Sequence, residues 1–262
     1  MDKTLPNINP SAEVIKITSF IKRVLKEQEF RNVIIGVSGG IDSATSFSLL
    51  EKTIAPKNIY VAHLHYFDSQ IKNIESILKQ ARIPKENIYN LSIREPIDAF
   101  RKLLEIPKQV RNDNERVRLG NIMARVRMII LYDLAKKHNA LTCGTENKSE
   151  LQLGYFTRFG DEASDFEPIQ HLYKTQVYQL AKYLGVVQDI IDLPPTAGLW
   201  TGQTDESDFG FSYKEADNVL FLYFEKKKNF LEIVKEFPNA KKIIDRARKN
   251  SFKHHLPYTV TP

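Results

Sequence analysis

Serine, glycine and aspartate residues follow an apolar run in the segment Ser38-Gly39-Gly40-Ile41-Asp42-Ser43. Glycines permit a positive φ and let a ligand approach the backbone closely. The two serine hydroxyls add hydrogen-bond donors beside the N–H groups that a helix N-terminus leaves unpaired. The segment therefore predicts a loop, between a strand and a helix, that binds an anion such as a phosphate.

This loop differs from the Walker P-loop, which ends in lysine followed by serine or threonine. Here the corresponding end is Asp42-Ser43, and Asp42 suggests a magnesium ligand instead. The string Ser-Gly-Gly-x-Asp-Ser resembles the signature of the pyrophosphatase-loop ATP enzymes, which adenylate an oxygen and release pyrophosphate. The resemblance implies that ATP is bound by Gly36, Val37, Ser38, Gly39, Gly40, Ile41, Asp42 and Ser43.

The elements that must position this loop alternate between strands and helices. After the first strand, apolar runs predict strands at 58–66, 87–93 and 140–144. Amphipathic patterns predict helices at 12–29, 43–52, 69–82, 95–105 and 115–138. The alternation predicts an α/β fold, a doubly wound parallel sheet with helices on both faces. Ligands bind beyond the carboxyl ends of such strands, so the loop and the segment 144–150 should meet in space.

After residue 150 the strand signal fades and helical patterns dominate, at 174–184, 213–226, 228–236 and 239–250. We therefore expect a single domain over 1–262, with a nucleotide-binding core at about 12–150 and a helical C-terminal cap at about 151–262. The stretch 192–210 is rich in Pro, Gly and polar residues, which predicts a lid.

Composition narrows the class of protein. Hydrophobic content of 42% and charged content of 27% are typical of a globular protein, and no stretch approaches the apolar run of about 20 residues that a membrane span needs. The first residues lack a secretory h-region, so we expect a cytoplasmic location and no membrane partner. Cys143 is the only cysteine and is expected to be buried. The net charge of +6 suits a polyphosphate as well as a nucleic acid, and we expect no nucleic-acid partner.

Three later segments resemble those of the ammonia-dependent NAD synthetase family. They are Gly144-Thr145-Glu146-Asn147-Lys148-Ser149-Glu150, then Gly154-Tyr155-Phe156-Thr157-Arg158-Phe159-Gly160-Asp161, and the run from Pro195 to Glu206. The resemblance implies an adenine-nucleotide alpha-hydrolase-like fold. It also implies that ATP adenylates the nicotinate carboxylate of deamido-NAD, after which ammonia displaces AMP. A homodimer is implied in the same way.

The resemblance assigns roles to the polar residues around the loop. Asp42 and Glu150 match the Mg²⁺ positions, although Glu150 could instead be a surface helix residue. Thr145, Lys174 and Thr196 match ATP contacts. Thr145 could also cap the helix that begins near Asn147, and Thr196 could be a turn residue. Asp42, Glu150, Lys174 and Asp161 are the expected catalytic residues.

Arg125 is the main candidate for binding the dinucleotide, because helical spacing places it on the flank of an apolar face. Arg127 projects to the other side and is expected to be structural. The resemblance adds Arg158, Asp161 and Asp165, and we hypothesise that Asp161 helps to hold and deprotonate ammonium. The complete expected set for deamido-NAD is Asn121, Arg125, Arg158, Asp161, Asp165, Phe252 and Lys253.

Several positions depart from the pattern of the family. Glu162-Ala163-Ser164 replaces a glycine-containing loop, and Phe252-Lys253 replaces a His-Lys pair. His63 and His65 stand where an adenine loop is expected, and buried, hydrogen-bonded histidines are favoured over metal ligands.

Four other functions remain open from the sequence. They are amidation of nicotinate mononucleotide, another adenylating amidotransferase reaction, modification of tRNA, and nucleotide binding without catalysis.

Overall fold

Four parallel strands form the centre of the computed structural model, which describes residues 4–67, 74–75, 78, 81–107, 112–200 and 202–255. In spatial order the strands are β3-β2-β1-β4. Their bounds are Asn32–Gly36 (β1), Ile59–His65 (β2), Ile88–Ser92 (β3) and Ala140–Cys143 (β4). All four predicted strands are confirmed. Because β1 pairs with both β2 and β4, the loop after Gly36 leaves the middle of the sheet.

Helices follow the strands and build the rest of the fold. Those of the first part of the chain are α1 (Pro10–Glu27), α2 (Ile41–Glu51), α3 (Arg94–Leu103) and α4 (Asp113–His138). The later helices are α5 (Lys148–Leu153), α6 (Lys174–Leu184), α7 (Gln188–Ile191), α8 (Asp205–Phe209), α9 (Tyr213–Leu220), α10 (Phe230–Glu236) and α11 (Ala240–Asn250). The predicted helix at 69–82 falls largely outside the described residues.

The sheet is covered on both faces, as the apolar runs predict. Successive side chains of a strand point to opposite faces. Val33 and Ile35 of β1 accordingly lie in one apolar cluster with residues of α1, α2 and α6, whereas Ile34 lies in a second cluster with residues of α3 and α4. This arrangement confirms the doubly wound fold. Cys143 is buried in the first cluster, as expected.

A third apolar cluster joins the helices of the C-terminal part. It contains Leu153 of α5, Phe209 of α8, Leu220 of α9 and Ile244 of α11. The predicted helix at 213–226 is divided here, since α9 ends at Leu220 and a π-helical turn continues to Glu225.

The predicted lid also contains a short helix, α8. Thr204 caps this helix by accepting from Ser207 N, and Gly210 ends it with φ +71°. In the part of the chain that the structure describes, no helix is long and apolar enough to cross a membrane.

Candidate active site

The turn between β1 and α2 has the geometry of an anion-binding loop. Gly39 takes φ +89°, whereas Gly40 is the N-cap of α2 with φ −83°, so one of the two glycines needs the left-handed conformation. Ser43 Oγ accepts from Ser38 N at 3.2 Å and donates to Gly40 O at 3.0 Å. The first helical hydrogen bond of α2 runs from Ala44 N, which leaves the preceding amides of the first turn for a ligand.

A buried lysine joins two carboxylates directly beside this loop. Lys174 Nζ donates to Asp42 Oδ2 at 2.5 Å and to Glu150 Oε1 at 3.1 Å. Lys174 is 2% exposed, and Asn147 Nδ2 donates to the other oxygen of Asp42 at 3.0 Å. The prediction that residues 38–43 meet residues 144–150 is therefore confirmed. Glu150 belongs to this cluster and is not a surface helix residue.

Three helix N-termini place the charged groups of this cluster. Asp42 lies in the first turn of α2, and Glu150 lies in the first turn of α5, where it completes a capping box with Asn147. A helix N-terminus favours carboxylates there. Lys174 begins α6, where a cation is unfavourable, and the two carboxylates offset this cost.

Burial and neighbouring charges shift the pKa values of this cluster in opposite directions. Burial lowers the pKa of Lys174, but Asp42 and Glu150 outweigh burial and raise it, so the ammonium group stays charged. Burial raises the pKa of Glu150, and Lys174 opposes that rise. A buried ion pair needs such mutual support, because each isolated charge would cost several kcal/mol.

A second buried carboxylate holds α5 and α6 together behind the cluster. Asp217 of α9 accepts from Ser149 Oγ at 2.5 Å, from Thr175 N at 2.9 Å and from Thr175 Oγ1 at 2.7 Å. Ser149 Oγ in turn accepts from Lys174 N at 2.8 Å. This network fixes the backbone from which Lys174 extends. No sequence motif marks Asp217, which lies outside the recognisable segments.

Asp205 is a further acidic group of this site. It is 2% exposed and accepts from Tyr213 OH at 2.9 Å, while Lys174 Nζ lies 5.2 Å from the centre of the Tyr213 ring. Burial raises the pKa of Asp205, and Lys174 opposes the rise. The residue lies in the recognised segment that ends at Glu206, but the sequence analysis gives it no role.

Four of the residues expected at the dinucleotide meet near the segment 154–161. Asn121 Oδ1 accepts from Thr157 Oγ1 at 2.8 Å, and Asp161 Oδ1 accepts from Thr157 N at 2.9 Å. Arg125 is exposed and donates to Arg158 O at 3.2 Å. These contacts join α4 to the segment 154–161.

The chain after α11 reaches the same segment. Lys253 Nζ donates to Gly154 O at 2.7 Å and to Phe156 O at 2.8 Å. Arg158 Nη2 donates to His255 O at 2.8 Å, and Phe252 is exposed. Lys253 therefore lies beside the other residues, whereas the Phe252 side chain faces solvent.

Comparison with known proteins decides the family. Residues 13–257 match the NAD synthase family. The chain belongs to this family. It is 35% identical to the NH(3)-dependent NAD(+) synthetase of Thermoplasma volcanium over 250 residues, which cover 95% of this chain and 97% of that protein. It is 39% identical to the enzyme of the same name from Methanocaldococcus jannaschii, with coverage of 94% and 95%.

Solved structures of NAD synthase relatives have the same fold. An NMN synthetase from Francisella tularensis superposes with a TM-score of 0.81 at 31% identity, covering 97% of this chain and 99% of that one. An NH3-dependent NAD synthetase from Campylobacter jejuni superposes with a TM-score of 0.78 at 30% identity, with coverage of 97% and 100%. The two relatives carry names for different products.

The donor set fits the magnesium ion that the NAD synthase resemblance implies. Asp42 Oδ2 and Glu150 Oε1 both contact one cationic atom, Lys174 Nζ, so the two oxygens lie close enough to share a cation. Magnesium takes carboxylate oxygens and commonly uses one or two of them together with substrate phosphates.

Two residues expected in the NAD synthase site have other contacts here, and a third does not cap α5. Asp165 Oδ2 accepts from Thr142 N at 2.6 Å beside β4, and exposed Thr196 accepts from Gly198 N at 3.1 Å. Thr145 does not cap α5, because Asn147 takes that position and accepts from Glu150 N. The capping role expected for Thr145 is therefore wrong.

The remaining expectations concern residues on β2 and α4. Arg127 donates to Leu64 O at 3.0 Å, as a structural role predicts. His63 is buried and its Nδ1 lies 2.9 Å from Val37 O, as expected. His65 is half-buried, and its Nδ1 finds no hydrogen-bond partner among the described residues. Its ring stacks against that of His63.

Proposed function

We propose that the protein is a ligase that forms a C–N bond, amidating the nicotinate carboxylate of deamido-NAD with ammonia. ATP first adenylates the carboxylate and releases pyrophosphate, and ammonia then displaces AMP to give NAD. The observation that carries the proposal is the contact of Lys174 with Asp42 and Glu150 beside the Gly39 loop. Such a site can gather phosphate and carboxylate groups that would otherwise repel one another.

The loop and Lys174 are the proposed ATP contacts. The amides of the first turn of α2 are proposed to donate to phosphate oxygens, while Ser38, Gly40 and Ser43 would exchange their present hydrogen bonds within the loop for bonds to phosphate. Lys174 would stabilise the negative charge that develops on the α-phosphate and on pyrophosphate. The backbone of Gly36, Val37 and Ile41 forms the two ends of this loop. Thr145 and Thr196 are proposed as further ATP contacts.

Asp42 and Glu150 would hold Mg²⁺, which neutralises phosphate charge and polarises the α-phosphate when it is bound. Asn147 keeps the Asp42 carboxylate in place through its second oxygen. The capping box fixes the orientation of Glu150 in the same way. These contacts arrange both carboxylates before the substrates arrive.

The proposed site for deamido-NAD lies along the segment 154–161. Arg125 and Arg158 offer guanidinium groups for phosphate or carboxylate oxygens. Asp161 is proposed to hold ammonium near the nicotinate. The remaining proposed contacts of the dinucleotide are Asn121, Asp165, Phe252 and Lys253.

Nicotinate mononucleotide is the second candidate acceptor. The superposition on the NMN synthetase of Francisella tularensis favours it, because the TM-score of 0.81 is as high as that for the NAD synthetase relative, at 0.78. The ATP residues would be the same for both acceptors. Only a direct comparison of the two substrates separates these candidates.

The first experiment is an assay of pyrophosphate release from ATP and Mg²⁺. It compares deamido-NAD, nicotinate mononucleotide and no acceptor, each with and without ammonium, while the amidated product is followed. We expect release with deamido-NAD and formation of NAD when ammonium is added. A response to the mononucleotide alone would overturn the choice of acceptor but not of reaction. Silence with both would overturn the reaction and make tRNA the next substrate to test.

We also propose that the protein is a homodimer. Large apolar side chains are exposed on α3 and α4 and on the chain that follows α3, namely Phe100, Leu103, Leu104, Val117 and Ile129. Covering such side chains would favour association. Light scattering after gel filtration tests this proposal, and a monomeric mass at micromolar concentration would contradict it.

We also propose how the chain is divided into a core and a cap and where in the cell the protein lies. We propose one domain with a core at about 12–150 and a cap at about 151–262, in which the third apolar cluster lies. A cytoplasmic location is consistent with the supply of ATP. Limited proteolysis tests the division, since two separately stable fragments would contradict a single domain.

A further inference from the structure

A cavity of about 410 Å³ lies next to the proposed active site and is lined by acidic side chains that the mechanism does not use. Its polar lining consists of Glu146, Glu162, Ser164, Glu167, Gln170, Lys253 and His254, and His254 Nε2 lies 2.6 Å from Leu151 O. Glu146 directly precedes Asn147, the cap of α5, while Glu162 directly follows Asp161. The cavity therefore opens between the two segments that carry Glu150 and Asp161.

Glu146 contributes an acceptor that is not used. The residue is 6% exposed, and its Oε2 accepts from Gln170 Nε2 at 3.0 Å. Its Oε1 is buried and has no hydrogen-bond partner among the described residues. A buried carboxylate oxygen without a donor costs free energy, so its retention points to a ligand that donates there.

Glu167 adds a second carboxylate on the same side of the cavity. Its Oε2 accepts from Glu146 N at 3.0 Å, and its Oε1 accepts from Ser164 Oγ at 2.8 Å. A Cβ atom on Gly144 would lie only 1.8 Å from Glu167 Oε1, so glycine at 144 makes room for this carboxylate. Several residues thus hold Glu167 beside Glu146.

Burial raises the proton affinity of both carboxylates. Burial, and then Glu167, raise the pKa of Glu146 to about 9. Burial raises the pKa of Glu167 to about 8, and nearby Asp161 adds to the rise. Lys253, the lysine of this lining, donates to the carbonyl groups of Gly154 and Phe156. Among the described residues, neither carboxylate forms a direct ion pair of the kind that Lys174 makes with Asp42 and Glu150, and the charge of Lys253 acts on Glu146 only from beyond ion-pair distance.

We propose that this cavity takes up the ammonium substrate, with Glu146 Oε1 and Glu167 as its acceptors, before Asp161 holds it next to the acyl-adenylate; this inference rests on the proposed function. Ammonium is a compact monovalent cation whose N–H groups donate charge-assisted hydrogen bonds to carboxylates. Water would donate a hydrogen bond to Glu146 Oε1 but brings no positive charge, and the pair needs one to ionise, because its raised pKa values hold a proton in the free protein at neutral pH. Ammonium satisfies both requirements.

The test measures steady-state rates with saturating ATP, Mg²⁺ and acceptor while ammonium chloride is varied at constant ionic strength, made up with sodium chloride. The variants are Glu146→Gln and Glu167→Gln, with Glu236→Gln as a control for loss of an exposed glutamate. We expect the KM for ammonium to rise about tenfold in both cavity variants, which corresponds to about 1.4 kcal/mol. The KM values for ATP and acceptor should stay within about twofold.

An unchanged KM for ammonium would overturn the proposal. A parallel rise of all three KM values would also overturn it, because it would show a structural role. If Glu146→Gln fails to fold, Glu167→Gln carries the same test.

A second readout separates this inference from the proposed function. Ammonium chloride should raise the thermal unfolding temperature of the wild type more than sodium chloride does, and the excess should disappear in Glu146→Gln. Absence of that excess in the wild type would overturn the cavity site even if pyrophosphate is released. If no acceptor supports pyrophosphate release, the proposed function fails, whereas an ammonium-specific rise that Glu146→Gln removes would still support a cation site.

Discussion

Two acidic pairs with little exposure lie near the N-terminus of α5, and they differ in whether the chain supplies their cation. Asp42 and Glu150 share the ammonium group of Lys174, whereas Glu146 and Glu167 meet an open cavity. Burial raises the pKa of Glu150 in the first pair to about 8, and Lys174 opposes that rise. Burial also raises the pKa values of Glu146 and Glu167, to about 9 and about 8, and neither carboxylate forms an ion pair among the described residues. A carboxyl pair without its own cation is suited to a cation that arrives as substrate.

The largest expected effect comes from removing the cation of the first pair. Lys174→Met leaves Asp42 and Glu150 facing each other and removes a proposed phosphate contact. We expect pyrophosphate release to fall by at least about a hundredfold and the free energy of unfolding to fall by about 3–5 kcal/mol. Urea unfolding and the pyrophosphate assay measure the two effects.

Lys182→Met is the matched control, because Lys182 is exposed on the same helix. It should leave both quantities close to those of the wild type. Normal pyrophosphate release by the Lys174→Met variant would contradict the role proposed for Lys174.

A smaller effect is expected from the network behind the first pair. Asp217→Asn replaces one acceptor oxygen with an amide donor, which opposes the donors from Ser149 and Thr175. We expect a loss of about 1–3 kcal/mol in the free energy of unfolding, with a fall in kcat that exceeds any rise in KM. Asp245→Asn, at an exposed position of α11, serves as the control for lost charge. Unchanged stability of the Asp217→Asn variant would show that the network contributes little.

How far the sequence predicts these two pairs depends on the distance between partners along the chain. Asp42 and Glu150 lie in recognisable segments, and the rule that sites form beyond the ends of parallel strands brings the two together. Lys174 lies outside those segments and is found only because the resemblance to the family assigns it an ATP contact. Nothing local pairs Asp217 with Ser149, because the two residues lie 68 positions apart and meet only through packing of α9 against α5. The contact of Glu167 with Glu146 N has the same origin.

The fold likewise contains elements that the sequence predicts and elements that it does not predict. Apolar runs before glycine or polar residues predict all four strands, since buried parallel strands need such runs. The π-helical turn Phe221–Glu225 has no local signal, because a pattern of apolar residues does not distinguish it from continued α-helix. Helix α8 lies inside a stretch rich in Pro, Gly and polar residues, where its Thr204 cap is too short a signal to stand out.

A steric test examines whether the second pair needs its particular geometry. Gly144→Ala places a methyl group where the Glu167 carboxylate lies, so Glu167 must move away from Glu146 N and Ser164 Oγ. We expect a loss of about 1–3 kcal/mol in the free energy of unfolding and a raised KM for ammonium. Glu167→Ala in the same chain should recover most of the stability but not the low KM. Equal stability of the single and double variants would contradict the steric explanation.

The smallest effect is expected from Glu146→Gln, which replaces one carboxyl group of the second pair with a neutral amide. Unlike the other changes, it should raise the free energy of unfolding. Glu146 titrates near pH 9 in the folded chain and in its ordinary acidic range in the unfolded chain, so folding at neutral pH must take up a proton. The free energy of unfolding therefore falls as the pH rises between those two values. Glu146→Gln removes this penalty, so the variant should be more stable than the wild type by about 1 kcal/mol or more at pH 8 and by little at pH 5. Thermal unfolding at both pH values measures the difference, with Glu236→Gln as the control. A variant that is less stable at pH 8 would mean that Glu146 is already paired in the free protein, and the contrast between the two acidic pairs would then disappear.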